Sequence, residues 1–270
     1  MLSEIEIDAD HFQREGWVRV DDVVPRDQLD AVVDLICEFF EVEPKRMESG
    51  RKFGEVINGI VPVHQHQALW NTRQEPSVHA AFKAIHGTDD LWVSMDRASY
   101  KPRLSKRAKY ARGDANAIHV DKNLNDDTFT VQGVLYLTDT PEDQGAWECV
   151  PEVFREIRDD GRRELKRGED FSGYALHKVS GKAGSLVIWD GRMPHSSGHN
   201  WTDTPRFVQY ITMNKCGNEE ERESRIENWR QNRAPTYWRS MPHQVDPEPW
   251  GEPARLTAHG KRILGLTRWS

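Results

Sequence analysis

The sequence has little of what marks a membrane-spanning or secreted protein. Its 270 residues contain no run of about 18 apolar residues, so no membrane-spanning helix is expected. The opening residues, MLSEIEIDAD, lack the basic and apolar regions of a secretory signal. Only three cysteines occur, and they form neither a CxxC pair nor a disulfide framework. These features predict a cytoplasmic protein.

An excess of basic residues is also missing. The chain has 37 Lys and Arg against 44 Asp and Glu, a net charge of −7, which argues against general nucleic-acid binding. No GxGxxG or GxxxxGK[ST] loop is present, which counts against the common nucleotide-binding folds. Without an internal repeat or a low-complexity linker, we expect one domain over residues 1–270.

Hydrophobic spacing predicts many short strands with helices at the two ends. Apolar residues recur at helical spacing in 26–41, after Pro25, and weaker signals predict helices at 76–86 and 219–231. Strands are predicted near 16–20, 91–100, 117–121, 129–138, 146–150, 185–189 and 206–213, the strand 185–189 following a Gly-Ser turn. Segregated helices around many short strands favour a β-sandwich or jelly roll with helical cover.

The predicted domain divides into three segments. Residues 10–90 supply an N-terminal strand and helical cover, 91–215 form the jelly-roll core, and 216–270 form a C-terminal helix and strap. Residues 152–170 are so rich in charge that they predict a solvated, partly helical insert rather than a core element. Ten tryptophans are unusual for so polar a chain and concentrate its apolar area in a few large rings.

A candidate metal centre comes from two separated motifs. His119 and Asp121 lie two residues apart in a predicted strand, so their side chains point to the same face. His195 follows the apolar run 185–189 through a short turn. Two imidazoles and one carboxylate on one face of an iron ion leave three positions open, the facial triad of non-haem Fe(II) oxygenases. The sequence therefore predicts that His119, Asp121 and His195 bind a metal.

Other histidines compete for this role. His199 is the rival of His195 as the third ligand. His64 and His66 form another i, i+2 pair, but without a carboxylate at useful spacing, which favours a loop or pocket wall. An isolated His-x-Asp also occurs often by chance.

A candidate anion site lies close in sequence to His195. Arg206 begins the next apolar strand, where a buried guanidinium would clamp a carboxylate with two hydrogen bonds. Ser197 lies two residues after His195 and would reach the same carboxylate. The alternatives are a surface or ion-paired arginine and an ordinary turn serine.

The stretch 184–206, GSLVIWDGRMPHSSGHNWTDTPR, resembles the phytanoyl-CoA dioxygenase-like family of Fe(II)/2-oxoglutarate oxygenases. It is similar to the family's Gly-acidic strand, metal His, Ser-Gly-x-Asn turn and 2-oxoglutarate-binding Arg. The His-x-Asp pair maps onto His119 and Asp121, and Lys101-Pro102 resembles the Lys-Pro that ends the preceding strand. The N-terminal strand and helix and a C-terminal helix within 256–269 also match, so the resemblance spans nearly the whole chain.

The resemblance implies a double-stranded β-helix (a cupin-like jelly roll) that holds Fe(II) through His119, Asp121 and His195. It implies 2-oxoglutarate bound by Arg206 and Ser197, and dioxygen in the remaining position. Gln132 shares a strand face with Val134 and Tyr136 and is expected to line the co-substrate pocket.

The implied activity is oxidation, by default hydroxylation, of a small molecule in a tailoring or catabolic role, with release of succinate and CO2. Oxidative cyclisation or epimerisation by the same centre, a non-redox cupin-like metal-binding protein or isomerase, and a hydrolytic metal enzyme stay open. A monomer or homodimer is expected, with neither nucleic acid nor membrane as partner.

The chain departs from the family pattern at two places. Glu152-Val153-Phe154 replaces the Gly-Ser-His that often follows Val-Pro, and Val120 replaces a frequent Gln. Both changes point to substrate recognition, and neither removes a metal ligand. Asp121 argues against the halogenase branch, in which a small residue leaves room for halide. The basic run 97–112 is either a solvated loop or a lid for an anionic substrate group.

Overall fold

The computed structural model describes residues 7–41, 59–102, 117–161, 164–165, 169–241 and 251–269. Its helices are α1 (Ala9–Glu15), α2 (Arg26–Phe40), α3 (Gln67–Arg73), α4 (Pro76–His86), α5 (Pro151–Asp159), α6 (Glu219–Arg230), α7 (Thr236–Arg239) and α8 (Ala258–Leu264). Its strands are β1 (Trp17–Val20), β2 (Ile60–Val61), β3 (Leu91–Val93), β4 (Ala98–Lys101), β5 (Val131–Tyr136), β6 (Trp147–Cys149), β7 (His177–Val179), β8 (Leu186–Asp190), β9 (His195–Ser197), β10 (Arg206–Tyr210) and β11 (Met213–Lys215). Within these ranges, no helix has the length and apolar character to cross a membrane.

Two antiparallel sheets face each other and enclose the interior of the barrel. The larger has the strand order β1-β8-β5-β10-β4-β2, and the smaller has the order β7-β6-β9. Along β5, Val134 and Tyr136 pack with Trp147 and Val179 of the smaller sheet, whereas Leu135 packs on the opposite face. This alternation follows from the two-residue period of a strand, and it makes the larger sheet apolar on both faces.

Helices cover the outer face of the larger sheet. In α2, Leu29, Val32, Ile36 and Phe40 recur at helical spacing and are almost fully buried against this face. Pro25 precedes the first turn, and Glu41 ends the helix in the left-handed conformation. The predicted helices 26–41, 76–86 and 219–231 are therefore confirmed to within a residue, whereas α1 and α3 were not predicted.

Two predicted strands are each divided between sheets. The predicted strand 91–100 is β3 and β4, and the predicted strand 206–213 is β10 followed by β11. β3 pairs with β11 in a two-stranded sheet, while β4 pairs with β10 in the larger sheet. The two segments bend at neighbouring positions, where the backbone N–H of Ser94 donates to the carbonyl of Thr212 at 2.7 Å. The prediction of continuous strands was wrong because apolar spacing does not tell which sheet a segment joins.

Two further predictions need correction. Residues 117–121 do not form a strand but a loop that touches β9 through one bridge, between His119 and His195. The charged segment 152–170 begins with α5, whose Val153, Phe154 and Ile157 are buried. These three residues share one side of the helix, so a highly charged segment still contributes to the core.

The C-terminal segment packs on the helical layer. The predicted helix within 256–269 is limited to α8, which ends at Gly265 in the left-handed conformation. Before it, the backbone N–H of Arg255 donates to Oε1 of Gln67 at 2.7 Å, and Nε1 of Trp229 donates to the carbonyl of Ala254 at 2.9 Å. Most of the predicted basic run 97–112 lies outside the described residues.

Candidate active site

Three potential metal ligands converge at one end of the smaller sheet. His195 is the first residue of β9, and His119 and Asp121 lie on the loop that precedes β5. Their ligand atoms lie within 4.8 Å of one another. Oδ1 of Asp121 is 3.6 Å from Nε2 of His119, and Oδ2 is 3.8 Å from Nε2 of His195. The predicted convergence is therefore present, although a loop rather than a strand supplies two of the three groups.

The backbone orients both imidazole rings. Nδ1 of His119 donates to the carbonyl of Ala117, and Nδ1 of His195 donates to the carbonyl of Met193, each at 2.9 Å. Because each Nδ1 carries the proton, the lone pair of each Nε2 faces the centre of the group. Burial, helped by the nearby His119, lowers the pKa of His195 to about 4 and keeps this ring neutral. Two imidazoles and one carboxylate are a donor set that suits Fe(II).

An outer layer of side chains holds the carboxylate. Nε2 of Gln132 donates to Oδ2 of Asp121 at 2.8 Å, and Oε1 of the same amide accepts from Nε1 of Trp189 at 3.0 Å. Gln132 and Trp189 are direct neighbours across β5 and β8. The amide is thus oriented at both ends and presents its N–H to Asp121.

A second polar cluster lies at the other end of β9. Arg206 and Lys101 are cross-strand neighbours on β10 and β4, and the Arg206 side chain is buried. Nη1 of Arg206 donates to the carbonyl of Gly145 at 2.7 Å, but its Nε is buried without a partner among the described residues. Nζ of Lys101 donates to Oγ of Ser197 at 2.5 Å and to the carbonyl of Gly198 at 2.9 Å. Arg206 is buried and Lys101 is partly buried, and two adjacent cations held away from water are costly unless an anion joins them.

The pKa of Lys101 reflects this cost. Burial and then the neighbouring Arg206 hold the pKa of Lys101 well below its usual value, while Glu148 acts in the opposite direction. Gly145 borders the same space with φ at +82°, and a Cβ there would lie 3.0 Å from both Cδ of Lys101 and the carbonyl oxygen of Gly198. A side chain at position 145 would therefore intrude on the cluster.

The structure separates the predicted residues into these two clusters. Ser197 contacts Lys101, and Gln132 contacts Asp121. His199 is exposed beside Trp201 and is not part of the metal-ligating group. Nδ1 of His64 bonds to the carbonyl of Met95, and His66 caps α3.

The sequence predicts Lys101 only as the end of a strand and as part of the basic run 97–112, and it does not assign Lys101 to the co-substrate site. Only the pairing of β4 with β10 places it beside Arg206. A lysine as the last residue of an apolar strand is the signal that the sequence offered.

The sequence resembles known proteins over most of its length. The family model for phytanoyl-CoA dioxygenase (PhyH) matches residues 12–208. A putative phytanoyl-CoA dioxygenase from Dictyostelium discoideum is 23% identical over 258 residues, with 75% of this chain and 73% of that protein covered. The ectoine dioxygenase of Sphingopyxis alaskensis is 20% identical over 274 residues, with 91% and 83% covered.

Solved structures extend the likeness to the fold. The non-haem α-ketoglutarate-dependent epimerase SnoN from nogalamycin biosynthesis superposes with a TM-score of 0.56 at 18% identity, covering 93% of this chain and 94% of its own. A further structure holds SnoN with Fe3+, α-ketoglutarate and nogalamycin RO. The predicted jelly roll with helical cover is confirmed.

Proposed function

The chain belongs to the phytanoyl-CoA dioxygenase family, and we propose that it hydroxylates a small molecule while converting 2-oxoglutarate to succinate and CO2. As a member it is a non-haem Fe(II)/2-oxoglutarate-dependent dioxygenase, so the predicted family, enzyme class and cofactors are confirmed. The small-molecule substrate, its hydroxylation and the role of each residue are parts of the proposal. A cytoplasmic location and a monomeric or homodimeric state stay predictions.

One observation carries the proposal: β9 joins the metal-ligating group to the cationic pair of Arg206 and Lys101. His195 at its first residue belongs to the triad, and Ser197 at its last residue contacts Lys101 beside Arg206. A 2-oxoglutarate molecule has a keto acid at one end and a carboxylate at the other. The two clusters offer a matching metal centre and anion site.

We assign the triad to iron and the cationic pair to the co-substrate. His119, Asp121 and His195 hold Fe(II), and Arg206, Lys101 and Ser197 bind the distal carboxylate of 2-oxoglutarate. The buried Nε of Arg206 and the lowered pKa of Lys101 support this, since a bound carboxylate supplies the missing acceptor and favours the charged lysine. Iron with 2-oxoglutarate and dioxygen supplies the oxidising power that removes hydrogen from the substrate.

The chain's own residues orient the reactants and exclude water. The main-chain bonds to each Nδ1 fix the orientation of both imidazole rings and direct each Nε2 at the metal. The apolar side chains of Val134, Val208 and Trp147 are buried between the two sheets. These walls keep solvent away from the inner side of the metal-ligating group, where His195 is buried.

The experiment is substrate-independent turnover of 2-oxoglutarate, measured as succinate under air with Fe(II). We expect slow succinate formation by the natural chain and none by His119→Ala. Under anaerobic conditions, Fe(II) with 2-oxoglutarate should also give a weak visible charge-transfer band that His119→Ala lacks. Arg230→Leu, which changes an exposed arginine of α6, is the matched control and should keep both signals. Succinate formation by His119→Ala would overturn the assignment.

Stereochemical inversion or ring closure is a second candidate reaction of the same centre. The likeness of fold to SnoN, described as an epimerase, and to SnoK, described as a carbocyclase, motivates it. Products from a substrate panel separate the cases, because hydroxylation adds one oxygen atom and epimerisation leaves the mass unchanged. A non-redox cupin-like protein or a hydrolase would form no succinate.

A further inference from the structure

Tryptophan rings form a continuous path from the metal-ligating group to the edge of the larger sheet. The ring of Trp189 lies 4.9 Å from that of His195, centroid to centroid, and Trp147 lies 4.9 Å from Trp189. Trp17 follows at 6.2 Å from Trp147. We call Trp189, Trp147 and Trp17 the tryptophan chain.

The chain runs from a buried to a partly exposed position. Trp189 is 4% exposed and Trp147 is 3% exposed, whereas Trp17 is half-buried on the edge strand β1. The ring of His11 packs edge-on against Trp17 at 4.7 Å. The outer end of the path is therefore accessible to small solutes, and its inner end contacts a proposed iron ligand.

Packing alone does not explain the choice of tryptophan at two of these positions. Nε1 of Trp147 and Nε1 of Trp17 are buried without a hydrogen-bond partner among the described residues. A buried N–H without an acceptor costs free energy that phenylalanine at the same place would avoid. Besides its larger ring, indole differs from phenylalanine in that it loses one electron easily.

We propose that the tryptophan chain carries oxidising equivalents from the iron centre to the protein surface when turnover occurs without substrate. The inference rests on the proposed function. Dioxygen accepts four electrons, of which the conversion of 2-oxoglutarate to succinate and CO2 supplies two, and the substrate normally supplies the other two. Without substrate, Trp189 supplies those two electrons one at a time. After each loss, Trp147 reduces Trp189, and Trp17 then reduces Trp147.

The electrons that leave the tryptophan chain are replaced at the protein surface. A one-electron reductant of the ascorbate or thiol class reduces oxidised Trp17 after each passage. Two passages, with two protons taken from solvent at the iron site, return the metal to Fe(II) and release water. Since Nε1 of Trp147 and of Trp17 has no acceptor among the described residues, neither ring passes its proton to one of them, and the oxidised site moves on rather than being trapped. The chain thus protects the iron ligands from self-oxidation.

The test uses the Fe(II)-loaded enzyme with 2-oxoglutarate and air but no substrate. Freeze-quenched samples are examined for a tryptophan radical by electron paramagnetic resonance, and oxidised residues are mapped by peptide mass spectrometry. We expect oxidation of the natural chain to concentrate at Trp17 and to be suppressed by ascorbate. Trp147→Phe should lower oxidation of Trp17 several-fold per succinate formed, shift damage to residues around His195 and speed inactivation.

Two internal controls keep the outcome clear. Trp70→Phe changes a fully buried tryptophan that belongs to the core under the helices, and it should behave as the natural chain. Trp201 is 55% exposed and reports oxidants that diffuse freely through solvent. Equal oxidation of Trp17 in Trp147→Phe and the natural chain, or oxidation of Trp17 no greater than that of Trp201, overturns the proposal.

A peroxide experiment separates this proposal from the proposed function. Hydrogen peroxide added to the Fe(II)-loaded enzyme generates an oxidant at the metal without 2-oxoglutarate, and His119→Ala shows which oxidation needs the metal site. One outcome is that peroxide oxidises Trp17 only when the metal site and Trp147 are intact, while the main experiment forms no succinate. This outcome would support the tryptophan chain and overturn the proposed function. Succinate formation together with Trp17 oxidation that does not require Trp147 would support the proposed function and overturn the tryptophan chain. If neither succinate nor Trp147-dependent oxidation is found, both proposals are overturned.

Discussion

The side chain of Gln132 donates a hydrogen bond from Nε2 to Oδ2 of Asp121 at 2.8 Å. Because Trp189 fixes the other end of this amide, Asp121 is held on an exposed loop by a group that belongs to the sheet. The Asp121 side chain is 54% exposed, so without this bond it would sample several rotamers. Gln132 therefore acts on the metal through its ligand.

Replacing Gln132 by Leu should weaken metal binding by roughly 10- to 100-fold, the usual cost of losing a group that orients a ligand. Calorimetry with Co(II) in place of Fe(II) measures it, and Gln74→Leu, in the helical layer, is the control. Unchanged metal affinity with a raised KM for 2-oxoglutarate would instead favour the cofactor-binding role predicted from the sequence.

The two candidate histidines on either side of Ser197 should behave differently. His195→Ala removes a buried group that faces Asp121, so metal binding and succinate formation should both be lost. His199→Ala changes an exposed ring and should leave both within about twofold of the natural chain, the effect of an ordinary surface substitution. The opposite pattern would make His199 the third ligand.

Arg206→Leu should raise the Kd for 2-oxoglutarate by roughly 10- to 150-fold, since a hydrogen bond to a charged group contributes about 1.5–3 kcal/mol. Arg206→Lys should recover only part of this, because an ammonium cannot make the forked contact. Anaerobic titration of the charge-transfer band gives the Kd values. Equal affinities of the natural chain and Arg206→Leu would exclude Arg206 from the co-substrate site.

Binding of 2-oxoglutarate should weaken as pH rises. Burial and Arg206 lower the pKa of Lys101 in the free enzyme, and a bound carboxylate raises it again. Binding therefore takes up a proton between the two pKa values, and affinity falls as pH rises above the lower one. Lys101→Met should abolish this proton uptake, which calorimetry in buffers of different ionisation enthalpy detects. The same uptake in the variant would assign it to another group.

Tryptophan fluorescence should fall when Co(II) and 2-oxoglutarate bind, because Trp189 contacts His195 and Trp147 packs on Trp189. Trp189→Phe should remove most of this change. Trp229→Phe, which alters a ring bonded to the C-terminal segment, should retain it. A response that survives in Trp189→Phe and disappears in Trp229→Phe would place the signal outside the metal site.

The sequence sufficed for elements whose pattern is local. The helix at 26–41 has its apolar period and Pro25 within one segment, and the grouping of His119, Asp121 and His195 was predicted from residue types together with the family resemblance. It did not suffice where pairing between distant segments decides. The breaks after β3 and β10 occur together because each segment bends with its partner, and Lys101 joins Arg206 only through that pairing.

The charged segment after Val150 shows a different limit. Composition predicted solvation for 152–170, but three apolar residues on one side of α5 suffice to bury that side. The average charge of a segment does not show whether its few apolar residues lie on one side of a helix. The contact of Gln132 with Asp121 was missed for a related reason, since a strand face does not reveal how a loop returns over it.

The bridge between His119 and His195 consists of two backbone hydrogen bonds of 2.9 and 3.0 Å, and it joins a loop to a strand far along the chain. Because ligands lie on both sides of this bridge, a bound metal ion stabilises the bridged conformation of the loop. Bound metal makes opening of the loop rarer by the factor 1 + [M]/Kd. Amide hydrogens of residues 119–121 should therefore exchange at a rate proportional to the metal-free fraction of the protein, so that the loop reports metal loading in the absence of any substrate.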